Sequence, residues 1–267
     1  MILVKAGGGA GLNWDGIAAD LAALRDDGTE IVLVHGANAL RGELSARLGV
    51  PVRTVVSPSG ISSVYTDKEA LDIFLMAYAG LANKRIVARL QREGVNAVGL
   101  TGVDGRLWEA RPKKDLYIAE DGRTKLIRDN LTGRVERVNT GLVRLLLGGG
   151  YTPVVCAPAI TPEGEIVNTD NDTAAAVLAA ALGIERIIYL FEAPGLLREA
   201  DRPETLVARV DRSAVPDCLP WAKGRMQKKL VATQRALEAG VAEVVFGDGR
   251  TAHPVRDALD GKGTVFA

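Results

Sequence analysis

Six short apolar runs punctuate the 267-residue chain, and the stretches between them carry a helical period. The runs are Ile2-Leu3-Val4-Lys5, Ile31-Val32-Leu33-Val34, and residues 95–100, 153–156, 187–190 and 244–246. Apolar runs without alternation belong to strands covered on both faces, as in a parallel sheet. Between the first two, Ile17, Leu21 and Leu24 recur at i, i+4, i+7, the mark of a helix with one buried face. A βαβα rhythm of this kind predicts an α/β fold, a three-layer αβα sandwich around a mainly parallel sheet. Aromatic residues are only 4% against 47% hydrophobic residues, so Ala, Val, Leu and Ile must build the core.

Two stretches break the rhythm. Residues 67–93 form one long helical pattern with Leu71, Phe74, Leu75, Tyr78 and Leu81 on its apolar side. Gly80 weakens it locally. That surface serves either the core or the seam of a homodimer. Residues 106–137 alternate polar and β-forming residues around Asp121-Gly122, a hairpin signal. This segment holds nine Lys/Arg against six Asp/Glu. It reads as a solvated ribbon, or else as a basic lid or an acidic partner's landing site. No linker or repeat divides the chain, so it is read as a single domain with two lobes. They meet near residue 165, giving lobes 1–165 and 166–267.

Charge and composition exclude several classes. Acids and bases balance at 33 each, which gives no field for nucleic acid or an anionic membrane. No window reaches eighteen apolar residues, and the N-terminus lacks a signal-peptide pattern. Cys156, in an apolar run, and Cys218, in a polar loop, read as unpaired thiols rather than a disulfide or metal site. A cytoplasmic protein is expected.

Chemistry gathers at strand and helix ends. Lys5 closes the first strand just before Gly7-Gly8-Gly9, where glycines let backbone N–H groups approach phosphate oxygens. The second strand ends at His35-Gly36-Ala37-Asn38, with His35 read as structural rather than a general base. Asn168-Thr169-Asp170-Asn171-Asp172 leads into an Ala-rich helix. It holds more acids and asparagines than capping needs, and a carboxylate there suits Mg²⁺ or a lysine ammonium. Lys223-Gly224-Arg225-Met226-Gln227-Lys228-Lys229 opens another helix. Its cations oppose the macrodipole unless an anion lies between. Neither G-x-x-x-x-G-K-[ST] nor G-x-G-x-x-G occurs, which disfavours a dinucleotide dehydrogenase.

Taken in order, these segments resemble the amino acid kinase family over essentially the whole chain. Further matches are Gly80-Leu81-Ala82-Asn83-Lys84, Gly99-Leu100-Thr101-Gly102-Val103-Asp104-Gly105, Pro194-Gly195-Leu196-Leu197 and the closing Gly263-Thr264-Val265. Within the family the pattern is similar to acetylglutamate kinase, and most of all to members acting on an amino-group carrier protein. The resemblance implies ATP- and Mg²⁺-dependent phosphorylation of the side-chain carboxylate of carrier-bound L-2-aminoadipate or glutamate. The alternatives are N-acetyl-L-glutamate kinase and a catalytically silent sensor that kept the fold. It also implies a small acidic carrier protein and a homodimer as partners.

Residue by residue, the resemblance makes Lys5 and Lys229 the pair that stabilises the transferring phosphoryl oxygens, with Asp172 orienting both. Gly36, Ala37 and Asn168 match acceptor positions. Gly7, Gly8, Glu192, Gly195, Leu196, Lys223, Gly224 and Met226 match positions around the nucleotide. Two departures fall on the acceptor side. Ala37 replaces the usual second glycine after the histidine. Val64 stands where family members carry an arginine that holds a substrate carboxylate. Arg41, just past the altered turn, is the expected replacement.

Overall fold

The computed structural model describes residues 1–56, 58, 62–113, 115–120 and 123–267. In chain order its first elements are β1 (Ile2–Ala6), α1 (Trp14–Asp26), β2 (Ile31–His35), α2 (Asn38–Arg47), β3 (Thr54–Val56) and β4 (Ser62–Val64). Next come α3 (Lys68–Leu75), a π-helical segment (Met76–Ala82), α4 (Asn83–Arg92) and β5 (Ala97–Thr101). β6 (Trp108–Pro112), β7 (Leu116–Glu120), β8 (Arg123–Ile127), β9 (Gly133–Val138) and α5 (Thr140–Gly148) follow. Then come β10 (Thr152–Cys156), β11 (Ala159–Ile160), β12 (Ile166–Val167), α6 (Asn171–Leu182), β13 (Arg186–Phe191) and β14 (Arg209–Val210). The last elements are α7 (Arg225–Glu238), β15 (Glu243–Asp248), α8 (Pro254–Leu259) and β16 (Thr264–Phe266).

Eight strands form the central sheet in the order β14-β16-β15-β13-β1-β2-β10-β5. Every pairing is parallel except β15 with β16. All six expected apolar runs are strands of this sheet. Side chains alternate across it, so each strand feeds two cores. Leu3, Val32, Val34, Ile187 and Tyr189 pack with α3, α5, α6 and α7 on one face. Val4, Ile31, Leu33 and Ile188 pack with α1, α4 and α8 on the other. That is the expected αβα sandwich with a mainly parallel sheet. Among the described residues, no helix is long and apolar enough to cross a membrane.

The long helical pattern resolves into α3, the π segment and α4. Gly80 lies in the π segment, where one looser turn re-phases the helix. Phe74 and Tyr78 before it serve one core, while Ile86 and Leu90 after it serve the other. This re-phasing corrects the single apolar side read from the sequence. Leu71, Phe74 and Tyr78 are buried, but Leu81 is exposed beside Met76. Cys218 also departs from expectation. It is buried in a 3₁₀ turn, and both cysteines are free thiols. The basic segment 106–137 forms β6 to β9, with β7 and β8 antiparallel. The Asp121-Gly122 tip lies outside the described residues.

His35 is fully buried at the end of β2. Its Nδ1 lies 3.2 Å from the Gly36 carbonyl and its Nε2 3.1 Å from Asn83 Nδ2. A carbonyl only accepts and an amide NH₂ only donates, so the neutral ring carries its proton on Nδ1. Burial lowers the His35 pKa to about 4, against the Gly36 hydrogen bond and with the charges of Lys5 and Lys84 adding to the fall. The unfolded chain therefore binds a proton below its usual 6.5 that the folded ring refuses until about 4. Stability falls as pH drops through that window. The expected loss is about 2 kcal/mol between about pH 7 and 5. Urea midpoints at the two pH values measure it, and His35→Gln should flatten that part of the dependence.

Candidate active site

The site lies beyond the carboxyl ends of β1, β2 and β13, where the chain leaves β1 toward neighbours on opposite sides. Crevices at such switch points are where open α/β sheets bind ligands. Lys5, Asp172 and Lys229 meet here, all at least nine-tenths buried. Lys5 Nζ pairs with Asp172 Oδ1, and Lys229 Nζ donates to Asp172 Oδ2 at 2.6 Å. Two strands and two helices supply the frame. Lys5 shares its sheet face with Tyr189, its register partner. Asp172 stands in the first turn of α6, where the helix dipole favours a carboxylate. Lys229 projects from α7, which lies against the small Ala-rich surface of α6.

The electrostatics are specific. Burial alone would raise the Asp172 carboxyl, but Lys229 and Lys5 outweigh it and hold it below the usual carboxylate range. Burial lowers the Lys229 ammonium, with Asp172 opposing the fall and Lys5 adding to it. With both lysines protonated, the trio carries one net positive charge out of water. A buried charge of that kind calls for an anion.

The backbone beside it is shaped to match. Gly7 N donates to Leu190 O at 2.8 Å, Gly36 N to Ala6 O at 3.0 Å, and Ala39 N to Gly8 O at 2.8 Å. A Cβ on Gly8 would stand 2.4 Å from Asn38 N and 2.5 Å from Ala37 N. The two turns are thus pressed together, and only glycine fits at position 8. Ala37 N-caps α2 without a side-chain hydrogen bond, which leaves the first-turn N–H groups other than that of Ala39 available to an anion.

Of the residues expected around the acceptor, Asn168 donates through Nδ2 to Thr66 Oγ1 at 3.0 Å. Val64 and Arg41 line one small pocket together with Thr66. Of the residues expected around the nucleotide, Glu192 accepts through Oε1 from Gly11 N at 2.6 Å and holds the loop after β1. Gly195, at φ +153°, packs against Thr264, whose Oγ1 accepts from Leu196 N at 2.8 Å. Leu196 is fully buried in the core. Lys223 and Gly224 are exposed, with Gly224 capping α7 at φ +55°, and Met226 packs partly against the core.

Several contributors escaped the sequence reading. The Tyr189 hydroxyl donates to the Asp172 carbonyl at 3.0 Å, and Lys229 Nζ lies 5.5 Å above the Phe191 ring. Asn171 Oδ1 accepts from Ala157 N at 3.1 Å. Two aromatics on one aliphatic strand, in a chain so poor in them, were the available signal.

The profile of the amino acid kinase family matches residues 1–248. The chain belongs to the amino acid kinase family. Among relatives of this amino acid kinase, the [LysW]-aminoadipate kinase of Thermus thermophilus is 44% identical over 267 residues, 99% of each chain. The [LysW]-aminoadipate kinase of Deinococcus radiodurans is 46% identical, covering 100% of this chain and 91% of the relative. An acetylglutamate kinase of Methanopyrus kandleri is 36% identical over 92% of this chain and 93% of the relative. Among solved structures, N-acetylglutamate synthase from Neisseria gonorrhoeae superposes with a TM-score of 0.80 at 25% identity, over 100% of this chain and 59% of that one. Carbamate kinase from Giardia lamblia bound to AMP-PNP, at 17% identity and a TM-score of 0.66 over 99% and 97%, shares the fold.

Proposed function

We propose that this amino acid kinase transfers the γ-phosphoryl group of ATP to the side-chain carboxylate of L-2-aminoadipate or glutamate. The amino acid is carried through its amino group by a small acidic carrier protein. The observation that carries the reading is the buried trio Lys5–Asp172–Lys229 at the switch point. The relatives at 44–46% identity named [LysW]-aminoadipate kinase support the acceptor.

The acceptor carboxylate is ionised at neutral pH and needs no general base. One of its oxygens attacks the γ-phosphorus, the bond to the β–γ bridging oxygen breaks, and ADP leaves with that electron pair. The product is an acyl phosphate. The main obstacle is bringing two anions into line, so catalysis is positioning and charge stabilisation. Lys5 and Lys229 flank the equatorial phosphoryl oxygens, and Asp172 fixes the spacing between them. The Gly8 N–H group and the start of α2 add dipoles. Both Asp172 oxygens are engaged by lysines, and no group of three metal-ligating side chains occurs among the described residues. Magnesium accordingly enters with ATP, as part of the substrate.

In this reading residues before about 165 hold the acceptor, with Gly36, Ala37, Val64 and Arg41 around it and Asn168 reaching it from just past the boundary. Residues after it hold the nucleotide, with the 192–196 and 223–226 segments beside Gly7 and Gly8. The exposed Met76 and Leu81 supply the seam of a homodimer through the α3–π–α4 run. Two free, buried thiols suit the cytoplasm. Carrier-bound aminoadipate should be phosphorylated with a kcat/KM at least about 100-fold above that of free N-acetylglutamate. Trapping the acyl phosphate with hydroxylamine reads both reactions. The opposite preference would favour an acetylglutamate kinase, the reading that the Methanopyrus relative supports.

A further inference from the structure

Three segments with no part in the proposed transfer meet behind the turn after β2: His35, Asn83-Lys84 and Gly99. Asn83 is buried at the start of α4. Its Nδ2 donates to His35 Nε2 at 3.1 Å and to the Val154 carbonyl at 3.0 Å, and its Oδ1 accepts from Lys84 Nζ at 3.1 Å. His35 Nδ1–H donates in turn to the Gly36 carbonyl at 3.2 Å. A Cβ on Gly99 would overlap Asn83 Oδ1, so glycine at 99 makes room for the amide. Each member donates to the next, from the Lys84 ammonium to the Gly36 carbonyl. Which ring nitrogen of a histidine carries the proton is set by the partner of the other. Asn83 thus keeps the His35 proton where it holds Gly36. A second hold comes from the same helical run. The Tyr78 hydroxyl donates to Asn38 Oδ1 at 2.8 Å, on the first residue of α2. Residues five apart would stand about 140° apart around an α-helix. The π segment, through its i to i+5 bonds, brings Tyr78 and Asn83 to one side, facing the 35–38 turn.

We infer that Asn83 and Tyr78 are positioning residues for phosphoryl transfer: through His35 and Asn38 they fix the 35–38 turn and so aim the N–H groups that open α2 at the transferred group. The inference rests on the proposed transfer. Ala37 gives α2 no side-chain cap, and Ala39 N is tied to Gly8 O. The direction of the other first-turn N–H groups therefore depends on what holds the turn from behind. That hold is independent of the lysines. His35 is the register partner of Ala6, on the sheet face covered by α1 and α4, whereas Lys5 lies on the other face with Tyr189. Loosening the turn leaves the Lys5–Asp172–Lys229 trio in place and blunts only the dipoles that meet charge developing in the transition state. The loss belongs in kcat rather than KM.

The chain has two histidines, so heteronuclear NMR of the labelled imidazoles reads His35 directly. Wild-type His35 should carry its proton on Nδ1 near neutral pH. Asn83→Leu nearly keeps the shape of the side chain and removes the donor to Nε2. It should let the proton visit Nε2 and lower kcat about 10-fold, with KM for ATP and acceptor within about threefold of wild type. Tyr78→Phe keeps the ring stacked on Phe74, with 3.9 Å between centroids, and removes one hydroxyl. It should lower kcat about fivefold and leave the His35 tautomer unchanged. Rates are read as hydroxylamine-trapped acyl phosphate from carrier-bound aminoadipate, and ADP calorimetry counts the competent sites. Wild-type His35 protonated on Nε2 would overturn the inference, and so would a kcat within about twofold of wild type in either folded variant. A loss of competent sites equal to the loss of rate would overturn it too, because it marks a structural role alone. If Asn83→Leu fails to fold, Tyr78→Phe decides. A wild type that transfers only to N-acetylglutamate ends the carrier reading, and the same variants are then measured on that acceptor. A wild type that transfers to neither acceptor ends the transfer reading and this inference together.

Discussion

Asp172→Asn is expected to destabilise the fold by about 3–5 kcal/mol and to reduce phosphoryl transfer below detection. The substitution barely changes volume but removes the carboxylate charge that touches both buried ammonium groups. Burial already lowers Lys229, and Asp172 is what opposes the fall. Without it, the burial that lowers the Lys229 ammonium loses its main opponent, and the charge that should meet the phosphoryl group is weakened. Urea denaturation reads the first effect and turnover the second. Acid should expose the same linkage. The folded carboxyl titrates below its usual 3.8, so the unfolded chain binds a proton first as pH falls. Asp172 thus contributes stability that is complete above the usual value and is lost as pH falls through the folded one. The asparagine variant should lack that part of the acid transition.

Lys5→Met and Lys229→Met should each lower kcat by about 100- to 1,000-fold, with KM for ATP and acceptor within about threefold of wild type. Methionine fills most of the lysine volume, which keeps packing losses small. Each variant leaves Asp172 one ammonium partner, so neither should approach the instability of Asp172→Asn. A loss concentrated in kcat marks an interaction made in the transition state and not with bound substrate.

Much of the architecture was legible because its cause is local. An apolar run such as residues 31–34 has few fates other than a covered parallel strand, and Asp170 followed by an Ala-rich stretch can only start a helix. Lys5 stood out because a lysine ending an apolar strand needs a reason. What stayed hidden depends on distance in sequence. No local signal tells that Asp172 lies between residues 5 and 229, which tertiary packing alone brings together. The same holds for Tyr189 and Phe191, whose roles depend on which sheet face they share with Lys5. The helical pattern over 67–93 misled for a different reason. A single apolar stripe was assumed to persist, whereas the π segment turns the second half toward the other core and leaves Leu81 outside. Arg41 and Val64, paired by position in the chain, line one small pocket.

The most direct test of the account is a double-mutant cycle on single-turnover acyl phosphate formation, with Lys5→Met, Lys229→Met and the double variant given saturating ATP and carrier-bound aminoadipate. If both lysines act on one phosphoryl group through one aspartate, each single variant slows transfer at least about 100-fold. The double variant then falls well short of the product of the two losses. Transfer at the wild-type rate by either single variant would contradict it.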